Sequence, residues 1–180
     1  MFPTQRLTIE PLAMVHAERL FHALNDERVG TFIGGPDVST LEALRHRIAF
    51  VTDGPSDPST RWWNFVVLLD SNVIGRIEAS SYAADEKHPF FAEIAYLIGP
   101  RWWGHGYATE ATRWLVGHLT AHGIAEIWAT VVPQNKASIR VALSAGLAEV
   151  PATEFANSSR VLASYDEGDL VFRLRVTSND

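Results

Sequence analysis

Apolar residues recur along the first half of the chain with two different periods, one of two residues and one of three to four residues. Arg6–Glu10 and Trp62–Leu69 alternate at every second residue, which predicts strands, and Val73–Ala79 returns antiparallel to the second of these after a short polar turn. Between them, apolar residues recur three and four positions apart, which predicts two amphipathic helices. The first is centred on Leu20, and the second opens with the capping box Ser39-x-x-Glu42.

The second half of the chain alternates between strands and helices. The predicted elements are a fourth strand from Phe90, a helix from Tyr107, a fifth strand at Ile127–Val132, a helix capped by Asn135 and a last strand at Leu170–Val176. The segment 148–163 carries proline, asparagine and serine and is predicted to be mostly loop. Because no internal repeat or linker interrupts this pattern, residues 1–180 are predicted to form one domain.

A glycine-rich turn joins the fourth strand to the helix that follows it. Gly104 and Gly106 leave little side chain near the backbone, and helical periodicity begins at Tyr107. The first N–H groups of a helix lack internal partners and the helix dipole favours negative charge there, so this turn is suited to a phosphate group. From these residues alone, an ordinary strand–helix turn with glycines for close packing is the alternative.

The turn also resembles a known motif. Arg101-x-x-Gly104-x-Gly106, followed by Tyr-Ala-Thr-Glu-Ala, resembles the acetyl-CoA pyrophosphate motif of the GNAT superfamily of N-acetyltransferases. The longer form W-G-x-G-Y-A-T-E-A is similar to the ribosomal-protein N-terminal (alanine/serine) acetyltransferase branch. The resemblance covers essentially the whole chain and implies an α/β (α+β) GNAT fold. That fold has a central, mixed, mostly antiparallel twisted sheet of about seven strands, flanked by about four helices, with splayed fourth and fifth strands.

The same resemblance implies where acetyl-CoA binds. The backbone of Leu97, Ile98 and Gly99 is expected to hydrogen-bond the pantetheine arm, and Asn135 is expected to contact the same arm. Ser138 is expected near the thiol leaving group. N–H groups of the turn are expected to take the pyrophosphate, and the turn comprises Arg101, Trp102, Trp103, Gly104, His105, Gly106, Tyr107 and Ala108. His105 stands where the family commonly has lysine or arginine.

A dinucleotide-binding turn is the nearest competing interpretation, because G-x-G opens that motif too. Thr109 stands where that motif needs its third glycine or alanine. Glu126 lies about 20 residues on, where a ribose-binding acid is expected, but it precedes the apolar run Ile127–Val132 and does not follow it.

Acetyl transfer to an amine requires a proton acceptor and a way to stabilise the leaving thiolate. Glu93 is the first candidate base, because it lies in an apolar strand and matches the glutamate that the N-terminal acetyltransferase branch carries there. A surface residue or a structural ion pair is the alternative, and Glu78 is the second candidate. Ser138 is the candidate donor to the thiolate; Tyr107 is less suited because it belongs to the phosphate turn.

The resemblance implies an acetyl-CoA-dependent N-acetyltransferase that acetylates a primary amine by direct attack in a ternary complex. The acceptor is a protein N-terminus or a small-molecule amine, and Phe32, Ile33 and Glu78 are candidate substrate-binding residues, with plain packing as the alternative for the first two. A GNAT-fold domain that binds acyl-CoA as a sensor, without turnover, is the other functional class. Dimers are common in this family, so a homodimer fits the resemblance.

Composition argues against several other classes. The net charge is −6, which argues against extended nucleic-acid or anionic-membrane contact, and the absence of cysteine excludes disulfides and a thiolate nucleophile. His118 and His122 have metal-like spacing, but no carboxylate completes an H-E-x-x-H pattern, so no metal is expected. No apolar run reaches the roughly 18 residues of a membrane span and no secretory signal is visible, so a cytoplasmic location is expected.

Overall fold

A mixed sheet runs through the molecule. The computed structural model describes residues 1–32, 39–158 and 160–176. The strands in these ranges are β1 (Phe2–Pro3), β2 (Thr8–Pro11), β3 (Thr60–Leu69), β4 (Asn72–Tyr82), β5 (Phe91–Ile98), β6 (Glu126–Val131), β7 (Ala148–Val150) and β8 (Leu170–Arg175). They form one eight-stranded sheet in the order β1-β2-β3-β4-β5-β6-β8-β7.

Helices cover both faces of this sheet. The α-helices in the described ranges are α1 (Ala17–Leu24), α2 (Glu27–Gly30), α3 (Leu41–Asp53), α4 (Tyr107–Ala121), α5 (Lys136–Ser144) and α6 (Ala152–Asn157). Short 3₁₀ helices occupy Met14–His16 and Pro100–Trp102. None of the helices in the described part of the chain is both long and apolar enough to cross a membrane.

Strand alternation divides the core between the two faces. Trp63, Phe65 and Val67 of β3 belong to the large cluster that packs against α4. Val66 and Leu68 point the other way and pack with α1 and α3. The face that carries α1 and α3 also holds a third cluster, in which Phe91, Trp128 and Leu162 pack with α6. Residues in the middle of β5 therefore lie between two separate apolar covers on that face.

The pairing of β5 with β6 is short. These two strands are parallel, and they pair only at Phe91↔Glu126, Ala92↔Ile127 and Glu93↔Trp128. Beyond Glu93 the strands separate, whereas β4 stays paired with β5 as far as Ile98. The splayed fourth and fifth strands expected from the sequence are β5 and β6, and that expectation is confirmed.

The hairpin of β3 and β4 contains an irregularity opposite a glycine. Asp70 and Ser71 make a two-residue turn with φ values of 47° and 67°. The register shifts between Val67 and Leu68, which is a β-bulge, and Val67 pairs with Gly75. A Cβ on Gly75 would lie 2.2 Å from the Leu97 carbonyl oxygen, so no larger residue fits there.

Three details of the fold differ from the sequence-based prediction. The sheet has eight strands where about seven were expected, because Phe2 and Pro3 add a short edge strand. Six α-helices are described where about four were expected: α2 is a single turn capped by Asp26, and α6 forms in the segment predicted to be loop. The side chain that caps α3 belongs to Thr40, not Ser39, and it accepts from Ala43 N.

We predict that Gly75→Ala lowers the free energy of unfolding by about 2–3 kcal/mol, because the added methyl would meet backbone on β5. For a chain of this length the melting temperature would fall by roughly 5–10 °C. Gly117→Ala in α4 is the matched control. Apart from its chain neighbours and nearby backbone of α4, no atom of the described residues lies within 4 Å of its added Cβ, so alanine is expected to stabilise the helix by about 1 kcal/mol. Thermal melts of the three proteins test this, and equal melting temperatures would contradict it.

Candidate active site

The separation of β5 from β6 opens a cavity of about 1010 Å³. Its walls are the end of β5, the glycine turn, the end of β6 and the start of α5. Of the residues predicted to bind cofactor or substrate, those that line it are Phe32, Leu97, Ile98, Trp102, Trp103, Gly104, Gly106, Tyr107, Ala108, Asn135 and Ser138. Gly99, Arg101, His105, Glu78 and Glu93 are not among its lining residues. Ile33 lies outside the described residues.

The glycine turn has the geometry that its sequence predicts. Gly104 and Gly106 both have φ of +80°, a region that favours glycine. Gly106 is the N-cap of α4, and within the described ranges no side chain caps the helix there. Without a capping side chain, the first N–H groups of α4 keep their capacity to bind an anion at the wall of the cavity. His105 is exposed beside them and its Nδ1 lies 2.7 Å from the Trp103 carbonyl oxygen.

Close packing explains the glycine before the turn. A Cβ on Gly99 would lie 2.3 Å from the Ala23 carbonyl oxygen of α1, so the chain passes directly against that helix. The Trp103 indole then folds back and donates from Nε1 to the Ile98 carbonyl oxygen at 2.6 Å. The turn is therefore tied both to α1 and to the end of β5.

A tyrosine that the sequence reasoning missed lies at the opposite wall. The Tyr96 hydroxyl donates to the Ser138 carbonyl oxygen and accepts from Ser138 Oγ, both at 2.9 Å. Asn135 Oδ1 accepts from Ser138 N at 3.0 Å and caps α5, as its sequence predicts. Burial raises the pKa of Tyr96, with the Ser138 hydrogen bond opposing it, so the phenol keeps its proton at neutral pH. One signal was available: Tyr96 alternates with Ile94 and Ile98 on the face that meets α4.

The other face of β5 is open to solvent at one residue. Ala95 is exposed although β5 lies inside an eight-stranded sheet. On one side of Ala95, Leu97 packs against the apolar cluster of α1 and α3. On the other side, Phe91 belongs to the apolar cluster that includes Phe155 of α6. Ala95 also lines the cavity. The cavity can therefore be reached from the α1–α3 face through the gap above Ala95.

Glu93 lies on the face of Ala95 but is covered by a loop. Its carboxylate is buried and accepts hydrogen bonds from Ala163 N at 2.9 Å, Ser164 N at 3.1 Å and Ser164 Oγ at 2.9 Å. Glu93 lines a smaller pocket of about 430 Å³, whereas Ser164 lines the large cavity. Ser164 is thus the link between Glu93 and the cavity. Burial, and then the Glu93 charge, raise the pKa of the neighbouring Tyr82.

Glu78 pairs with Ala95 in the sheet, so its side chain lies on the same face as Ala95. Its carboxylate accepts from Arg47 Nη2 at 2.9 Å and is also bound by Arg76, which is buried. Burial alone would raise the pKa of Glu78, but the charges of Arg76 and Arg47 outweigh it and hold that pKa below its ordinary value. Glu78 is therefore an ionised partner of two guanidinium groups at neutral pH, and a weak base.

The histidine pair of α4 lies away from this cavity. His118 and His122 have ring centroids 4.4 Å apart. His118 stacks on Trp114 and meets Phe65 edge to face, and both histidines meet Trp63 edge to face. Burial, followed by the charges of His122 and Arg61, lowers the pKa of His118. Among the described residues, no group of three or more histidine, aspartate or glutamate side chains is arranged to hold a metal ion.

Comparison with known proteins places this architecture in one family. A family model described as an acetyltransferase (GNAT) domain matches residues 6–148. The chain is 25% identical over 139 residues to the uncharacterized N-acetyltransferase p20 of Bacillus licheniformis, covering 77% of this chain and 76% of that one. It is 28% identical over 150 residues to the uncharacterized N-acetyltransferase YoaA of Bacillus subtilis (strain 168), covering 81% and 83%.

A solved structure shows the same fold. The ribosomal L7/L12 alpha-N-protein acetyltransferase RimL, in complex with coenzyme A, superposes with a TM-score of 0.73. The match covers 96% of each chain at 16% sequence identity. The fold is therefore shared with an enzyme that has been solved with coenzyme A.

We predict that Glu78→Gln lowers the free energy of unfolding at pH 7 by about 2 kcal/mol, because it removes the carboxylate charge that attracts the guanidinium groups of Arg76, which is buried, and Arg47. The folded-state pKa of Glu78 is lowered, so its stabilising effect is present above the ordinary pKa of 4.5 and is lost as the pH falls through the folded-state value. The difference between variant and wild type should therefore narrow as the pH is taken below 4.5.

Urea unfolding at several pH values measures this difference. Glu149→Gln is the control, because that side chain is exposed and makes no hydrogen bond or ion pair with the residues described. A loss of stability that is independent of pH would contradict the role given to the Glu78 charge.

Proposed function

Because the chain belongs to the GNAT family of acetyltransferases, we propose that it transfers an acetyl group from acetyl-CoA directly to a primary amine in a ternary complex. Acetyl-CoA supplies an activated acyl group, so the protein needs no nucleophile of its own, and the chain has no cysteine. The observation that carries the proposal is the gap between β5 and β6, which reaches both faces of the sheet at Ala95 and Tyr96.

The α4 side of the gap is assigned to the coenzyme. N–H groups of the turn from Trp102 to Ala108 bind the pyrophosphate, supported by the uncapped start of α4 and by the two glycines at φ +80°. Exposed Arg101 precedes this turn, and exposed His105 lies within it. The pantetheine arm follows the backbone of Leu97–Gly99, where β5 has lost β6 as a partner. The Asn135 amide contacts the same arm from α5 while its oxygen caps the helix.

Tyr96 and Ser138 are assigned to the leaving thiolate. Their hydroxyls are bonded to one another at 2.9 Å, and both residues line the cavity. Burial keeps the Tyr96 phenol protonated, so it is a hydrogen-bond donor throughout the neutral range. When the Tyr96 O–H turns from the Ser138 carbonyl oxygen to the sulfur, it can stabilise the developing negative charge and transfer the phenolic proton to the thiolate. Tyr96 then regains a proton from solvent.

Glu93 is assigned as the proton acceptor, acting through Ser164. The Ser164 hydroxyl donates to Glu93 Oε2 and also lines the cavity. A proton leaving the acceptor amine can therefore pass by way of this hydroxyl, or a water in its place, to the Glu93 carboxylate. Glu78 is not assigned this role, because two guanidinium groups lower its pKa.

The acceptor amine is assigned to the α1–α3 face, where Ala95 is exposed. Phe32, which is 38% exposed, and Thr31 line the cavity from the connector after α2. The acceptors assigned to this opening are primary amines of two kinds: protein N-termini, the acceptor class named for RimL, a ribosomal L7/L12 alpha-N-protein acetyltransferase, and small-molecule amines. The charged cluster of Glu78, Arg47 and Arg76 lies on the same face, next to Ala95.

We predict that Glu93→Gln lowers kcat by at least about 100-fold, the size expected for loss of a general base. The affinity for acetyl-CoA should not change, because Glu93 is not among the lining residues of the large cavity. Coenzyme A release is measured with acetyl-CoA and a panel of short peptides with free N-termini, polyamines and other small amines.

Ser164→Ala separates catalysis from the anchoring of the loop. It removes the hydroxyl that links Glu93 to the cavity but leaves the two backbone hydrogen bonds from Ala163 and Ser164, so kcat should fall while the melting temperature is kept. Unchanged turnover in Glu93→Gln would remove Glu93 from the mechanism. Tight acetyl-CoA binding by the wild-type protein without turnover of any amine would favour the acyl-CoA sensor instead.

A further inference from the structure

The N-terminal segment reaches across the sheet edge to the glycine turn. Arg6 Nη1 donates to the His105 carbonyl oxygen at 2.9 Å, inside the turn itself. The Arg6 guanidinium also lies over the Tyr107 ring, with 4.7 Å between its Cζ and the ring centroid. A single side chain from before β2 therefore contacts the turn on both sides of Gly106.

The same side chain neutralises an acid in the first turn of α4. Arg6 Nε donates to Glu110 Oε2 at 2.7 Å, and Arg6 N and Thr4 Oγ1 donate to Glu110 Oε1 at 2.7 and 2.6 Å. The Glu110 side chain is only 14% exposed. Without Arg6, a largely buried negative charge would stand in the helix turn that is assigned to an anionic ligand.

We propose that Arg6 is a positioning residue for the coenzyme: it fixes the His105–Tyr107 backbone and cancels the Glu110 charge, so that the start of α4 can accept a pyrophosphate. Two physical effects combine here. The hydrogen bond to the His105 carbonyl fixes the orientation of the peptide unit between His105 and Gly106. The ion pair cancels the charge of the Glu110 carboxylate. That charge would otherwise repel the pyrophosphate and counteract its attraction to the positive end of the helix dipole. The inference rests on the pyrophosphate site proposed above.

The test is a charge-rescue series measured by isothermal titration calorimetry of the full chain with coenzyme A. Arg6→Gln should raise the Kd about tenfold, because it leaves Glu110 unneutralised. The double variant Arg6→Gln with Glu110→Gln should bind within about threefold of the wild type, since the repulsion is gone. Arg113→Gln is the control, because it also removes one positive charge beside α4. The Arg113 side chain donates to the Ser144 carbonyl oxygen and not to the glycine turn, so the Kd of this variant should stay within about twofold of the wild type.

Each outcome decides the inference. An unchanged Kd in Arg6→Gln overturns it. A double variant that binds as weakly as Arg6→Gln also overturns it, because most of the roughly tenfold loss is assigned to the uncancelled Glu110 charge, which the second substitution removes. The hydrogen bond to the His105 carbonyl oxygen, absent from both variants, accounts for at most the remaining factor of about three. A wild-type protein that does not bind coenzyme A contradicts the pyrophosphate site itself, and this result is distinguishable from the other two because it appears before any substitution is made.

Discussion

The functional architecture depends on the early end of one strand pairing. β5 and β6 share three residue pairs and then separate after Glu93 and Trp128. A parallel sheet that continued would have filled the space with backbone hydrogen bonds and left no opening. Because it stops, the end of β5 is not paired with β6, and a cavity of about 1010 Å³ passes between two strands of an otherwise continuous sheet.

This opening brings together groups from opposite faces of the sheet. Tyr96 and Ser138 approach it from the α4–α5 side, whereas Ala95 and the Glu78 cluster approach it from the α1–α3 side. The opening is bounded by two apolar covers, one of α1 and α3 and one of α6 and its neighbours, which leave Ala95 uncovered between them. Such an arrangement lets two substrates meet from opposite directions, as direct transfer in a ternary complex requires.

Local sequence patterns predicted the parts of the site that depend on local geometry. The turn glycines at 104 and 106, the cap at Asn135 and the separation of the two strands all follow from spacing, residue type or family resemblance, and the structure has each of them. The missed features come from distant segments. Ser164 meets Glu93 across 71 positions and Arg6 meets Glu110 across 104, so neither contact leaves a periodic signal in the sequence. Tyr96 stands in an apolar run that predicts only a buried strand. The partner of its hydroxyl, Ser138, lies in another element 42 residues on, so no sequence pattern indicates the contact.

The most direct test of this account is hydrogen–deuterium exchange of the backbone amides with and without coenzyme A. The account predicts that the coenzyme slows exchange in the glycine turn, 104–108, and around Asn135–Ser138, and leaves α6 unchanged. Uncapped N–H groups at the start of α4 should gain the most protection, because no side chain of the described residues caps them in the free protein. Protection confined to other segments, or none at 104–108, would contradict the assignment of the coenzyme to the opening between β5 and β6.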